Sequence, residues 1–327
     1  MNQETVSFIV PFYNAASYME KTIPSYLSQT YDNIEFIFVN DGSSDDTLSK
    51  LKKYQIDDER IKVISTINQG LSAARNSAID YATGDFVIFV DSDDYVLPEF
   101  VEMLVEGFSK HDDVFISAVG FSVIHEYDVN KLKEISKKHG STKTTEIRSA
   151  SDALTIFLSQ KYNFDVSAWG KMFRREVFTN ERFTPGILFE DLDILLRLFD
   201  DNLKSYAALS STVMYGYFSR GDSIMNRPYN PNELAIVDVI RRNEQIAVSM
   251  GSKIFYANIA KSISALTGVF LKAERAKNKD ADKLFTELLE FRKVHLLFKL
   301  PTVKSKILVV LLFTGRKVFS GLLQSVK

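Results

Sequence analysis

The chain has 327 residues, of which 45% are hydrophobic and 25% are charged, enough for one large or two modest domains. The absence of cysteine excludes disulfides, thiolate metal sites and cysteine nucleophiles. The first residues lack the basic region and long apolar core of a signal peptide. No run of about eighteen apolar residues predicts a conventional transmembrane helix. We therefore expect a cytoplasmic protein.

The formal net charge of −2 conceals an uneven distribution of charge. From Phe291 to Lys327 there are eight Lys or Arg residues and no Asp or Glu. The rest of the chain therefore has 40 − 8 = 32 basic residues against 42 acidic ones, a charge of −10. An acidic body with a basic tail is not typical of a nucleic-acid-binding protein, so no nucleic acid is expected as a partner.

Strand-like apolar runs alternate with helical spacing over the first hundred residues. Strands are predicted at 6–10, 35–39, 61–65 and 85–90, and helices at 17–29, 45–54 and 71–82. This alternation predicts an α/β fold with a doubly wound, mostly parallel sheet. Ligands bind beyond the carboxyl ends of such strands, where this chain has polar or turn-forming segments at 11–14, 40–46, 66–70 and 91–94.

The alternation weakens after residue 110. We predict a strand at 113–124, a polar connection at 126–148, helices at 150–160 and 189–199, and a mostly helical pattern from residue 233. Pro228 and Pro231 indicate a boundary. The expected organisation is one α/β domain over 1–228, in two halves (1–105 and 106–228). A helical region with a basic amphipathic tail follows over 229–327.

Asp91-Ser92-Asp93-Asp94 is the most informative tetrapeptide, because it directly follows an almost wholly apolar strand. Carboxylates at an exposed strand end suit Mg²⁺ or Mn²⁺, ions that are usually shared with substrate phosphates. The alternative is a solvated acidic turn before the next helix.

Three other residues near strand ends are candidates for ligand binding. The Asp41 carboxylate could accept a base N–H, and the Tyr13 ring could stack on the same base. Arg75 could pair with a phosphate or contact the base. The structural alternatives are turn formation and helix capping around Asp41, and a surface ion pair for Arg75.

Taken in order, the segments VSFIVPFYNA, VNDGSSDDT, NQGLSAARN and VDSDD closely resemble the donor-binding half of the family-2 glycosyltransferases, over residues 5–100. WGKMF (169–173), Glu190-Asp191 and YFSR (217–220), followed by Ser223-Ile224, resemble later elements of that family, although Gly170 replaces a commoner polar residue. The resemblance implies the GT-A fold, with residues 1–105 as the nucleotide-sugar-binding half and 106–228 as the acceptor half of a catalytic domain. It also implies transfer of a sugar from a nucleotide sugar to a hydroxyl of a growing surface glycan, with inversion at the anomeric carbon.

The resemblance also implies roles for particular residues. Tyr13 and Asp41 would hold the uracil of a UDP-sugar, and Asp191 would be the general base. The full set of donor-binding residues would be Pro11, Tyr13, Asp41, Arg75, Asp91, Ser92 and Asp93. Asp93 or Asp94 would bind a divalent metal, Mn²⁺ or Mg²⁺. Acceptor or diphosphate contacts would come from Trp169, Lys171, Glu190 and Arg220.

Two of these roles have structural alternatives. Glu190 and Asp191 could complement the dipole at a helix N-terminus, and Trp169 could be a core residue. The alternative functions are a nucleotide-sugar-binding protein without transferase activity, which would have to lose the base or the metal ligands, and a nucleotidyltransferase. A nucleotidyltransferase would need a Gly-rich, Lys-containing signature near the first strand, which is absent.

The tail predicts an amphipathic helix. Its apolar face would contain Ile307, Leu308, Leu311, Val318, Phe319 and Leu322, with Lys306, Arg316 and Lys317 largely on the other face. Such a helix can lie in an anionic membrane surface, so we expect peripheral attachment to the inner face of the cell membrane. A lipid-linked glycan acceptor would fit that location. A packed C-terminal helix and a contact in a homo-oligomer are the alternatives.

Overall fold

The structure is a computed structural model that describes residues 4–139, 144–219 and 227–324. The centre of this described part is a mixed, nine-stranded sheet. In chain order its strands are β1 (Val6–Phe12), β2 (Ile34–Asp41), β3 (Ile61–Thr66), β4 (Phe86–Phe89), β5 (Tyr95–Val96), β6 (Val114–Ile124), β7 (Glu146–Ser149), β8 (Lys171–Arg174) and β9 (Tyr206–Phe218).

Helices cover the sheet and continue beyond it to the C-terminus. In chain order they are α1 (Met19–Leu27), α2 (Thr47–Asp57), α3 (Leu71–Tyr81), α4 (Phe100–Phe108), α5 (Val129–His139), α6 (Ala150–Leu158), α7 (Glu190–Asp201), α8 (Ile236–Ser249), α9 (Ser252–Arg275), α10 (Asp280–Leu289), α11 (Leu296–Lys299), α12 (Val303–Leu312) and α13 (Arg316–Gln324).

The sheet has the strand order β3-β2-β1-β4-β8-β6-β9-β5, with β7 paired to β9. The first four strands in this order are parallel to one another, whereas β8 enters antiparallel between β4 and β6. The predicted α/β, mostly parallel sheet is confirmed, with β8 making it mixed. The parallel arrangement brings the carboxyl ends of β1, β2 and β4 to one edge, where the polar segments follow.

The two faces of the sheet bury separate hydrophobic clusters, because successive side chains of a strand point to opposite faces. Phe8 and Val10 of β1 belong to the cluster under α1 and α4. Ile9 belongs to the other cluster, which continues through α3, α6 and α7 into the C-terminal helices as far as Phe319. The helical region therefore packs on the same side of the sheet as α7.

Residues 126–148 are not the plain polar connection that we expected, because they contain α5 and β7. Leu132 of α5 is fully buried against the sheet, and α5 contacts β9. The apolar residues Val129, Leu132 and Ile135 recur at a spacing of three, which buries one side of an otherwise polar helix. Because the segment is mostly polar, its three apolar residues are too few to predict a helix from the sequence.

The helix α9 is the central element of the C-terminal region and contacts α6, α8, α10, α12 and α13. By length and composition it is apolar enough to cross a membrane, with a mean hydropathy of 1.4 over its apolar window. However, 61% of that window is buried inside the protein. A buried core helix has the same composition. The helical C-terminal region is thus confirmed, while the boundary at 228/229 stays a prediction.

Two glycines allow a matched test of the turn after β2. Gly42 has φ +65°, and a Cβ atom there would lie 2.5 Å from the backbone nitrogen of Asn68. Gly42→Ala should therefore lower the free energy of unfolding by at least about 2 kcal/mol. Gly268→Ala, in open space on α9, should raise it by about 0.5–1 kcal/mol. Denaturant unfolding of both variants measures this contrast, and equal effects would contradict it.

Candidate active site

Asp41 ties two loops together at the carboxyl edge of the sheet. Its carboxylate accepts hydrogen bonds from the backbone N–H groups of Gln69 (2.9 Å) and Gly70 (2.8 Å), which precede α3. The side chain is almost completely buried. Oδ1 also accepts from the Thr66 hydroxyl (3.4 Å), whereas Oδ2 accepts only from Gly70, so Oδ2 retains a lone pair for a base N–H. Asp41 thus has a loop-ordering role in addition to its predicted contact with the base.

Tyr13 lies just beyond β1, and its side chain is 51% exposed. The next residue, Asn14, is in the left-handed region (φ 49°) and accepts a hydrogen bond from the backbone of Ser44 (2.9 Å). An exposed ring on an anchored loop is suited to stacking on a base. Pro11, in contrast, is buried within β1, and its contact with the donor stays a prediction.

Asp94 is completely buried in the turn after β4, and both of its carboxylate oxygens accept hydrogen bonds. One accepts from the Tyr215 hydroxyl (2.5 Å) and the other from the backbone N–H of Phe218 (2.8 Å). Burial raises the pKa of Asp94 well above its usual value, and the nearby carboxylates of Asp93 and Asp91 raise it further. The geometry is that of a residue that fixes the turn, contrary to the expectation of a direct metal ligand.

Two tyrosines that the sequence motifs did not indicate hold this turn in place. The hydroxyl of Tyr26 donates to the backbone carbonyls of Asp91 (3.1 Å) and Asp94 (2.9 Å). Tyr215 accepts from the backbone N–H of Asp91 (3.3 Å) while it donates to Asp94. Tyr26 occupies a core position of α1, so its sequence context carries no sign of this contact.

Ser92 also faces the protein interior. It is 8% exposed, its hydroxyl lies 3.2 Å from that of Tyr18, and its carbonyl accepts a hydrogen bond from Thr22 (2.9 Å). Ser92 thus ties the acidic turn to α1 and its preceding residue, and its contact with the donor stays a prediction. Of the acidic turn, Asp91 and Asp93 retain partly exposed side chains.

Arg75 is fully buried and forms ion pairs with three carboxylates. One terminal nitrogen donates to Asp91 (2.9 Å), and the other donates to Asp191 (2.7 Å) and Glu190 (3.1 Å). The guanidinium also lies 5.1 Å from the ring centre of Phe183. We expected Arg75 to contact the donor directly, but its charge is used inside the protein. It joins the donor edge of the sheet to the N-terminus of α7.

The carboxylates around Arg75 have raised pKa values. Burial raises the pKa of Glu190 to about 7, with the adjacent Asp191 charge adding to the rise and Arg75 opposing it. Burial also raises the pKa of Asp191, while Arg75 and a hydrogen bond from the backbone of Ala168 counteract the rise. A single guanidinium thus partly compensates a dense cluster of negative charge.

The helix α7 is fixed at its first turn by the C-terminal region. Phe189, just before it, has a left-handed backbone (φ 71°), an uncommon and strained conformation for a bulky residue. Asn243 of α8 donates to the carbonyl of Leu192 (2.9 Å). The buried Asp193 accepts from Arg197 (3.0 Å) and from Arg242 of α8. The acidic pair Glu190-Asp191 therefore lies between a strained backbone residue and a helical turn that α8 holds in place.

Trp169 and Lys171, which we expected near the acceptor or the diphosphate, are both almost completely buried. Trp169 stacks on Tyr215 (ring centres 4.7 Å apart, planes at 11°) and takes part in the core. The Lys171 ammonium donates to the carbonyl of Ser167 (2.7 Å), and burial lowers its pKa. Arg220, the other residue in that prediction besides Glu190, lies outside the described residues, as does the segment Ser223-Ile224.

A divalent metal would have to share its ligands with the substrate. Among the described residues, no group of three or more His, Cys, Asp or Glu side chains could hold an ion by itself. Mg²⁺ is commonly bound through one or two carboxylates together with substrate phosphates. Asp93, with Asp91 beside it, matches that donor set at the edge of the sheet.

A sequence model described as "Glycosyl transferase family 2" matches residues 7–180, which is 174 of the 327 residues. The match covers β1 to β4, the acidic turn and β8. The chain therefore belongs to the family-2 glycosyltransferases.

Bacterial glycosyltransferases are among its relatives. Glycosyltransferase GlyA of Streptococcus pneumoniae is 33% identical over 196 residues, which are 58% of this chain but only 27% of GlyA. This chain thus spans about a quarter of that relative. The putative glycosyltransferase EpsH of Bacillus subtilis is 28% identical over 262 residues, 80% of this chain and 70% of EpsH.

Solved structures show the same fold over nearly the whole chain. Residues 1–349 of S. aureus TarS in complex with UDP-GlcNAc superimpose with a TM-score of 0.75 at 19% identity, covering 98% of this chain and 92% of TarS 1–349. Mannosyltransferase PcManGT from Pyrobaculum calidifontis, in complex with GDP-Man and Mn²⁺, gives 0.53 at 16% identity, covering 97% and 89%. The GT-A fold is thereby confirmed.

The raised pKa of Glu190 predicts a pH-dependent effect of Glu190→Gln on stability. In the folded protein the Glu190 carboxyl keeps its proton up to about pH 7, whereas in the unfolded chain it releases the proton near pH 4.5. The protonated carboxyl therefore stabilises the fold fully only below about pH 4.5. Its contribution is lost as the pH rises through about 7. Thermal unfolding should show the variant gaining stability over wild type between pH 5 and pH 8.

The exposed Glu59 provides the control, because Glu59→Gln changes the same charge away from the site. Its difference from wild type should be flat over the same pH range. A flat difference for Glu190→Gln would contradict the burial argument.

Proposed function

We propose that the chain transfers a sugar from a UDP-sugar to a hydroxyl group of a growing surface glycan, with inversion at the anomeric carbon. The observation that carries this proposal is the ion-pair cluster of Arg75. It places a donor-edge carboxylate, Asp91, and the acidic pair Glu190-Asp191 around one guanidinium. This geometry supports a single site that contains both the donor and the proposed base.

Uracil recognition rests on Tyr13 and Asp41 at adjacent strand ends. The ring of Tyr13 is exposed for stacking, and the carboxylate of Asp41 has acceptor capacity for the imide N–H of uracil. The S. aureus TarS structure contains UDP-GlcNAc. Its fold, shared over 98% of this chain, supports a uridine nucleotide as the first donor to test.

We further propose that Asp93, with Asp91 beside it, holds Mn²⁺ or Mg²⁺ against the donor diphosphate. When bound, such an ion would stabilise the negative charge that develops on the leaving diphosphate. The PcManGT structure contains Mn²⁺, which supports this choice of ion. Asp94 would keep the turn rigid through its hydrogen bonds to Tyr215 and Phe218.

Asp191 is the proposed general base. Its carboxylate removes the proton of the acceptor hydroxyl while that oxygen forms a bond to the anomeric carbon. The bond from this carbon to the diphosphate oxygen breaks on the opposite face, and the electron pair leaves with the UDP. Arg75 favours the ionised form of Asp191 and fixes its orientation. Glu190 is more deeply buried, at 13% against 20% side-chain exposure, and is the less accessible carboxylate.

Binding of UDP should stabilise the protein, and Mn²⁺ should increase the effect. A ligand at a hundredfold its dissociation constant adds about 2.7 kcal/mol to the free energy of unfolding. Asp93→Asn should remove the increment due to Mn²⁺ and leave most of the stabilisation by UDP alone. Thermal unfolding of the wild type and the variant with UDP, Mn²⁺ or both measures the stabilisation by UDP and the increment due to Mn²⁺. Equal melting temperatures under all conditions would contradict the proposed donor site.

Asp191→Asn should lower turnover by about 10²–10⁴-fold, because an amide cannot accept the proton. UDP affinity should remain close to that of wild type, since the loss falls on the chemical step. A screen of UDP-sugars for release of UDP in the presence and absence of acceptors supplies the assay. Glu190→Gln is the matched variant and should cost much less turnover. The reverse ranking would assign the base to Glu190.

A further inference from the structure

The helix α12 has apolar residues on two opposite faces. Leu308, Val309 and Leu312 are buried, and the helix packs against α9. Val303, Ile307 and Val310 recur at spacings of four and three, and they are 74%, 52% and 51% exposed. The outward face therefore differs from the predicted apolar stripe, because Leu308 and Phe319 of that stripe belong to the core.

Further exposed apolar side chains precede and follow α12 in the chain. Phe298 at α11 is 80% exposed, and Phe313 directly after α12 is 49% exposed. We refer to the five residues Phe298, Val303, Ile307, Val310 and Phe313 as the exposed apolar row. On α13, Val318 and Leu322 are exposed as well. A concentration of large apolar side chains in one short segment is characteristic of an interaction surface.

Basic side chains accompany the row. The exposed lysines of the segment are Lys293, Lys299, Lys304 and Lys317, and Lys306 is half-exposed. Among the residues that the structure describes, no carboxylate lies within salt-bridge distance of any of these five lysines. Arg316 is the exception among the predicted surface charges, because it pairs with Glu274 (2.6 Å) and with Asp282. The surface thus combines apolar side chains with uncompensated positive charge.

We propose that the exposed apolar row and its lysines form a docking surface for an anionic lipid bilayer. The apolar side chains would enter the boundary between head groups and acyl chains, and the lysines would contact anionic head groups. The alternative occupant is a second copy of the chain. A two-fold contact would bring this surface against itself, and residues 291–327 have no carboxylate to offset the repeated lysines.

Co-sedimentation of the full chain with vesicles tests the docking surface. Wild type should bind vesicles containing phosphatidylglycerol and bind pure phosphatidylcholine vesicles at least tenfold more weakly. The double substitution Ile307→Asp and Val310→Asp should lower binding to the anionic vesicles at least tenfold. The matched control, Ile56→Asp and Val248→Asp, changes two exposed residues on α2 and α8 and should bind like wild type. Thermal unfolding with UDP verifies that each variant is folded and keeps its donor site.

A second variant, with Lys299, Lys304 and Lys306 replaced by Gln, tests the charge separately and should also reduce binding. Full-length protein that ignores anionic vesicles at low salt would overturn the proposal. So would retention of binding by the Asp double variant. A wild-type dimer in light scattering that the Asp variant converts to a monomer, without vesicle binding, would assign the row to a second copy. None of these outcomes depends on the glycosyl-transfer chemistry.

Discussion

The buried guanidinium of Arg75 is the interaction on which the site depends. Three carboxylates from two distant parts of the chain converge on it, Asp91 after β4 and Glu190 and Asp191 at the start of α7. A buried charge is costly unless it is paired and hydrogen-bonded, and removing one partner leaves the others uncompensated. Because a planar guanidinium can donate to several acceptors in fixed directions, Arg75 fixes the turn after β4 relative to the first turn of α7.

The C-terminal helices support this site by packing against α7, the helix that carries the acidic pair. Arg242 and Asn243 of α8 hold the first turn of α7, directly after the acidic pair. The hydrophobic cluster on that face of the sheet continues through α9 to α13. The helical region is thus packed behind the residues that present Asp191. This arrangement explains how α7 can tolerate a strained residue, Phe189, immediately before the acidic pair.

The strands and the polar segments at their ends can be predicted from the sequence, because buried parallel strands have clear apolar runs followed by turn residues. Asp93 and Asp94 cannot be distinguished in this way, since adjacent carboxylates differ only in what they contact after folding. The ion pairs of Arg75 cannot be predicted either, because its three partners lie 16, 115 and 116 residues away. The tail stripe was partly wrong because α12 has apolar residues on two faces, and helical spacing alone cannot tell which one is buried.

The pH dependence of kcat for Arg75→Lys tests the central role of this guanidinium most directly. Lysine keeps the positive charge but cannot donate to three carboxylates in the planar geometry of arginine. With the UDP-sugar that supports the highest turnover, the acidic limb of the profile should move to higher pH, because one ammonium cannot approach all three carboxylates as closely as the guanidinium and so lowers the pKa of Asp191 less than Arg75 does. At its optimum, kcat should fall by at least about 10²-fold, the lower end of what a positioned base contributes. A folded variant with an unshifted acidic limb and kcat within a few-fold of wild type would contradict the account.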